Sequence, residues 1–199
     1  MEHYFISKEH SSSDYFEFEE KINEGIYHFK SCDDIFSKDR IDYGTKVLLD
    51  AIIKKCDIKN RCLDIGCGYG VIGIVLARNF KNSTFLLTDI NKTAVELSKE
   101  NIQKNHSKNI EDVVLSDGYE NITGTFDYII TNPPIKAGKQ NLLKILLGAY
   151  EKLNQSGELI FVIKKKHGEE SIKKQLEAVF KSVEIVKRDS GYYILECIK

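Results

Sequence analysis

The sequence predicts an α/β fold: a seven-stranded, mostly parallel sheet with one antiparallel strand, helices on both faces and a small N-terminal β extension. Three observations point there. From about residue 42 onward, short β-rich stretches alternate with stretches of helical periodicity; a glycine cluster follows the first of those strands; and the last two strands are separated only by a turn. Alternation of strands and helices requires parallel neighbours joined by crossovers, whereas two strands joined by a turn pair antiparallel.

The elements follow in order. The alternating runs Tyr15-Phe16-Glu17-Phe18-Glu19 and Ile26-Tyr27-His28-Phe29-Lys30, separated by Asn23-Glu24-Gly25, read as a hairpin. Residues 1–35 are therefore assigned to an extension laid on the main domain, and residues 36–199 to the domain itself. Val47, Leu48, Ala51 and Ile52 recur at helical spacing and predict a helix over 42–56. A strand over 61–65 runs into the glycine loop and a helix over 71–79 follows. The second strand covers 84–88, and Asn91 has the residue type and position of an N-cap for a helix ending near Lys104. Strands over 112–115 and 126–131, a helix over 139–153 and a strand over 158–164 come next. Ile172, Leu176, Val179 and Phe180 mark the last helix, and strands over 183–187 and 192–197 close the chain.

Bulk properties narrow the class. With 199 residues, 42% apolar and 30% charged, the chain has the size and composition of one folded domain. The net charge of -1 argues against a basic footprint over the whole chain. The five cysteines, Cys32, Cys56, Cys62, Cys67 and Cys197, form no CxxC pair and read as reduced, mostly buried thiols. The first ten residues lack the pattern of a signal peptide, and the longest apolar run, 71–77, is interrupted by Gly73. A cytoplasmic location without membrane contact is expected. The five histidines show no metal-ligand spacing, so no metal site is expected.

The loop Asp64-Ile65-Gly66-Cys67-Gly68-Tyr69-Gly70 leaves a strand and opens a helix. Glycines there let a ligand approach the backbone, at the sheet edge where doubly wound folds bind nucleotides. Gly68-Tyr69-Gly70-Val71-Ile72-Gly73 also matches GxGxxG, so a dinucleotide cofactor is the rival reading. Against it stand three carboxylates at successive strand ends: Asp64, Asp89 and Asp117. S-adenosylmethionine offers three donor groups, an ammonium, a ribose diol and an adenine amine, which three ionised acceptors suit. The expectation is Asp64 at the methionine end, Asp89 on the ribose and Asp117 on the adenine. Ile90 and Gly118 complete the cofactor wall with Gly66, Gly68, Gly70 and Asn132. The competing reading of Asp89 and Asp117 is as turn or capping residues.

The chain has two prolines, Pro133 and Pro134, adjacent and preceded by Asn132 at a strand end. A Pro-Pro step fixes two φ angles and removes two N–H donors, which makes a rigid turn presenting carbonyl oxygens and one amide. Asn132-Pro133-Pro134-Ile135 resembles the NPP motif of amino-directed methyltransferases. Together with Ile35-Phe36-Ser37-Lys38-Asp39-Arg40-Ile41-Asp42-Tyr43-Gly44-Thr45, Ser116-Asp117-Gly118-Tyr119-Glu120 and Gly191-Tyr192-Tyr193, it makes the chain similar to the small-domain methyltransferases related to the bacterial 16S rRNA guanine-N2 enzyme.

The resemblance implies a class I, Rossmann-like methyltransferase that uses S-adenosylmethionine, releases S-adenosylhomocysteine and methylates an exocyclic amine. It points to guanine N2 of small-subunit rRNA, with rRNA or the small ribosomal subunit as partner and a monomer or homodimer as the working state. The chemistry fits the motif. An amine conjugated to a ring has a delocalised lone pair; if the Asn132 side-chain oxygen and the Pro133 carbonyl accept its N–H bonds, the lone pair can be aimed at the methyl group. Asn132 and Pro133 are thus the candidate catalytic residues. Pro134 and Ile135 would wall the substrate, although enzymes that methylate adenine or glutamine through this motif usually carry an aromatic at the position of Ile135. Phe36 is the candidate to stack on a base, or alternatively a core anchor for the N-terminal segment. Lys136, Lys139, Lys164 and Lys165 flank the same strand ends and could meet RNA phosphates, or form an ordinary solvated face. Methylation of a protein glutamine or of a small molecule, and a nucleotide-binding module without methyl transfer, remain the alternatives.

Overall fold

The structure, a computed structural model, describes residues 15–55, 58–134, 138–165 and 168–199. The chain runs β1 (Tyr15–Ile22), β2 (Gly25–Cys32), α1 (Tyr43–Lys55), β3 (Asn60–Ile65), α2 (Val71–Asn79), β4 (Ser83–Asp89) and α3 (Lys92–Lys104). It continues through β5 (Ile110–Leu115), β6 (Phe126–Thr131), α4 (Lys139–Lys152), β7 (Leu153–Lys164), α5 (Glu169–Leu176), β8 (Ser182–Asp189) and β9 (Tyr192–Ile198). β3 to β9 form one sheet in the order β5-β4-β3-β6-β7-β9-β8, and β1 and β2 form a separate two-stranded sheet. All neighbours from β5 to β7 pair parallel, while β9 is antiparallel to both β7 and β8.

Each sheet face buries its own core. On one side Cys62, Leu87, Ile130, Ile160 and Val162 pack under α1, α2 and α3; on the other, Leu63, Ile129, Leu159 and Phe161 pack under α4 and α5. The strands are apolar on both faces because parallel strands are covered on both. α2 approaches the sheet closely at Gly73, where an added Cβ would lie 2.6 Å from the Leu87 side chain.

Asn91 caps α3 as its residue type predicts, its side chain accepting from the Thr93 N–H at 2.9 Å. Two boundaries differ from expectation by more than two residues. β7 begins at Leu153 instead of 158, directly from the end of α4. The last helix stops at Leu176, where the Val179 and Phe180 N–H groups both turn back onto the Leu176 carbonyl. Val179 is consequently exposed, and only Phe180 joins the core.

The hairpin is tied to α3 through a mimic of strand pairing. The Asn101 carboxamide accepts from Lys30 N at 2.8 Å and donates to Lys30 O at 2.9 Å; one helical turn on, Asn105 accepts from His28 N at 3.1 Å and donates to His28 O at 2.7 Å. Two side-chain amides thus occupy the free edge of β2 as a further strand would. Beneath them Tyr27, Phe29 and Cys32 enter the same core as α1 to α3. Replacing the fully buried Asn101 strands backbone groups of Lys30 and Tyr69. Asn101→Ala is therefore expected to lower unfolding free energy by about 1–3 kcal/mol in a denaturant titration.

Candidate active site

The C-terminal ends of β3 to β6 surround one cavity of about 810 Å³. It lies where the sheet order reverses, between β3 and β6, the switch point at which doubly wound sheets hold ligands. Ile65 and Gly66, Thr88 and Asp89, Ser116 and Asp117, and Asn132 reach it from the four strand ends. Phe36, Asp42 and Thr45 approach from the first turn of α1 and the segment before it, and Lys164 and Tyr192 from β7 and β9.

The floor is the glycine loop. Gly66, Gly68 and Gly70 all have positive φ, at 73°, 58° and 92°. An added Cβ on Gly66 would meet nothing within 4 Å, so glycine is needed there for its backbone conformation and leaves the cavity clear. Gly70 differs: it does not line the cavity, and a Cβ there would lie 3.0 Å from Ile74 and Ser98. Its place is the left-handed step into α2.

Asp89 fastens this loop to β4. One carboxylate oxygen accepts from Gly68 N at 2.8 Å and the other from Asn91 N at 2.9 Å. Burial pushes its pKa up, and the backbone N–H bonds work against that shift. Asp89 is thus a turn residue, as the competing reading held, and a cavity-lining carboxylate as well.

Asp117 and Gly118 also line the cavity; Asp117 pairs with Lys144 at 3.1 Å across its rim, beside the exposed Ile90. Phe36 is 53% exposed and lines the cavity, which sets aside its reading as a core anchor. Pro133 and Pro134 line it with Asn132. The Asn132 Nδ2 donates to Thr45 Oγ1 at 2.8 Å and to Asp42 Oδ2 at 3.3 Å. No described residue donates to its Oδ1.

Besides Gly70, three of the candidate site residues stand outside the cavity. Asp64 does not reach the cavity: strand alternation turns it to the α2 face, where it is 1% exposed and accepts from Gly73 N at 2.9 Å. Lys139 starts α4 but points to α5, donating to Ser171 at 3.0 Å. Lys165 stands outside the cavity, in a shallow cleft with Lys164, Gly168, Glu170 and Ser190. Ile135 and Lys136 lie outside the described residues. Asp42, Thr45 and Tyr192 also line the site, and no sequence pattern gives them a role there. Their signal was present in the Asp42-Tyr43-Gly44-Thr45 segment, but it marks a helix start and gives no hint of what the helix start faces.

The Cys67 thiol, although on the cavity wall, is held well above its ordinary pKa by burial and by the nearby Asp89, so it stays protonated and is a poor nucleophile. Among the described residues no group of three or more His, Cys, Asp or Glu side chains is placed to hold a metal, and no helix is long and apolar enough to cross a membrane.

A glycine loop fastened by a strand-end carboxylate and an Asn-Pro-Pro turn facing it across the switch point define a Rossmann-like methyltransferase. The family model described as methyltransferase small domain matches residues 26–196, and the chain belongs to that family. YbxB, an uncharacterized protein of Bacillus subtilis, is 38% identical over 100% of this chain and 98% of its own. Ribosomal RNA small subunit methyltransferase C of Erwinia tasmaniensis is 37% identical over 67% of this chain, and the match spans 39% of that protein. Among solved structures, the T. thermophilus 16S rRNA N2 methyltransferase RsmC, in complex with AdoMet and guanosine, superposes with a TM-score of 0.83 at 23% identity. That superposition covers 94% of this chain and 51% of the other, and shows a shared fold.

Asp64 provides a test of the buried architecture. Its second oxygen has no partner among the described residues, and burial raises its pKa from 3.8 to about 7. The native state therefore holds a proton that the unfolded chain has released, so stability from this group is full below 3.8 and lost as pH rises through about 7. Asp64→Asn should shrink the drop in melting temperature between pH 5 and pH 8; a drop equal to that of the wild type would show the carboxyl ionised throughout.

Proposed function

We propose that this chain is an S-adenosylmethionine-dependent N-methyltransferase acting on guanine N2 of small-subunit rRNA. The observation that carries this reading is the Asn132 carboxamide, held at the cavity wall with its nitrogen engaged and its oxygen free of any described protein donor. Such a group accepts an N–H bond, and the Pro133 carbonyl beside it can accept the second from the same amine. With both N–H bonds directed, the amine's lone pair leaves conjugation with the ring and points into the cavity. S-adenosylmethionine supplies, when bound, an electrophilic methyl group on a sulfonium centre.

The residues present fit that cofactor. Asp89 is a fixed carboxylate for the ribose diol. Ile90, Asp117 and Gly118 offer an apolar surface and an acceptor for adenine. Gly66 and Gly68 keep the floor free of side chains.

On the substrate side Phe36, Pro134 and Tyr192 supply flat apolar surface for a planar base. Lys164 stands over the Tyr192 ring at 4.7 Å, where its ammonium can meet a phosphate. The names of the Erwinia and T. thermophilus relatives support RNA as the substrate and guanosine as its reacting unit.

Incubation with methyl-labelled S-adenosylmethionine and purified small ribosomal subunits, followed by nucleoside mass spectrometry, tests the reading. N2-methylguanosine is the expected product; label in protein alone would move the substrate to a side-chain amide. Asn132→Ala should leave cofactor affinity near that of the wild type and lower turnover by about two orders of magnitude or more. Asp89→Ala should instead weaken cofactor binding, as read by calorimetry.

A further inference from the structure

We propose that Thr45 and Asp42 lock the direction of the Asn132 carboxamide and so make the site select acceptors that carry N–H donors. The inference rests on the proposed contact between Asn132 and the substrate amine, and it adds the residues that decide which end of the amide the substrate meets.

A carboxamide is nearly symmetric in shape and opposite in function at its two ends, so its neighbours must impose its direction. Here both Nδ2 hydrogens are used, one on Thr45 Oγ1 at 2.8 Å and one on Asp42 Oδ2 at 3.3 Å. A carboxylate accepts and does not donate. A flipped amide would set oxygen against oxygen at Asp42 and turn a donor into the cavity. Such a site would favour ring nitrogens and carbonyl oxygens; the arrangement present favours an exocyclic amine.

The lock is built into the start of α1. The Asp42 carbonyl accepts from Lys46 N at 3.1 Å, the first bond of the helix, and its Oδ2 also accepts from Gly44 N at 2.9 Å. The carboxylate is thus fixed by the helix it caps. Thr45, 7% exposed, follows in the first turn. Gly44 between them keeps the space: an added Cβ would lie 2.7 Å from the Tyr192 ring and 2.9 Å from Asp42 Oδ2. Asp42, Gly44 and Thr45 therefore each contribute to one arrangement, with Asp42 and Thr45 as positioning residues.

Thr45→Val preserves shape and removes the hydroxyl, while Thr45→Ser keeps it. With small ribosomal subunits as substrate, Thr45→Val should lower kcat by on the order of tenfold with KM for S-adenosylmethionine unchanged, and Thr45→Ser should stay within about twofold of the wild type. The side-chain NH₂ signals of Asn132, assigned by their loss in Asn132→Asp, give a readout that needs no substrate. They should shift in Thr45→Val and return in Thr45→Ser. Wild-type kcat in Thr45→Val, or NH₂ signals identical in the wild type and Thr45→Val, would overturn the lock. If the wild type leaves small subunits unmethylated, the substrate assignment fails, and the NH₂ signals alone then decide the lock by the same criterion.

Discussion

The end of β4 holds the site together. A loop that passes through three left-handed glycines has no repeating hydrogen-bond pattern of its own, so its backbone groups must be satisfied from outside. The Thr88 carbonyl accepts from both Gly66 N and Cys67 N, at 2.8 and 2.9 Å, and Asp89 accepts from Gly68 N. From the other side α3 reaches the same loop: Ser98 donates to Gly68 O and Asn101 to Tyr69 O, both at 2.8 Å. Asn91 connects the two supports, since its N–H is held by Asp89 while its side chain caps α3. Loss of any one of these bonds leaves a buried or part-buried polar group unpaired and loosens the cavity floor together with the start of α2.

The same helix explains why the N-terminal hairpin belongs to the architecture of the site. Asn101 bonds to the glycine loop on one side and to β2 on the other. The aromatic side chains of Phe18 and Phe29 lie edge-on to Tyr69, with ring centroids 6.0 and 5.6 Å from its own. Tyr69 in turn donates to the carbonyls of Ser37 and Arg40, in the segment that carries Phe36 to the cavity. The hairpin therefore backs the loop that faces the ligand and steadies the segment that brings an exposed aromatic to the mouth.

Much of this was legible in the sequence where the signal is local. The bounds of α2, the Asn91 cap, the hairpin turn and the antiparallel finish each depend on residues a few positions apart, and periodicity or turn chemistry records them. The site was legible in outline for the same reason, because glycines and acids at successive strand ends mark one edge of a sheet. Asp64 was placed wrongly because its position at a strand end said nothing of which face it takes; alternation with Leu63 and Ile65, which pack on the α4 side, decides that. The bonds from Asn132 to Asp42 and Thr45 join residues 90 and 87 positions apart. Such contacts depend on the topology that lays α1 beside the end of β6, and no spacing rule encodes them.

These two levels of legibility follow the division of the cavity itself. Its cofactor side is made by the turns that follow β3, β4 and β5 at one sheet edge. Its substrate side is assembled from remote pieces: the segment before α1, the first turn of α1, the Asn-Pro-Pro turn, and the ends of β7 and β9. Changes there alter which acceptor fits while leaving the loop, Asp89 and the sheet untouched. The match to the methyltransferase small domain over residues 26–196 shows the chemical class. On the proposed function the acceptor would be set by side chains such as Phe36, Tyr192 and the oriented Asn132, whose effect depends on direction as much as on identity.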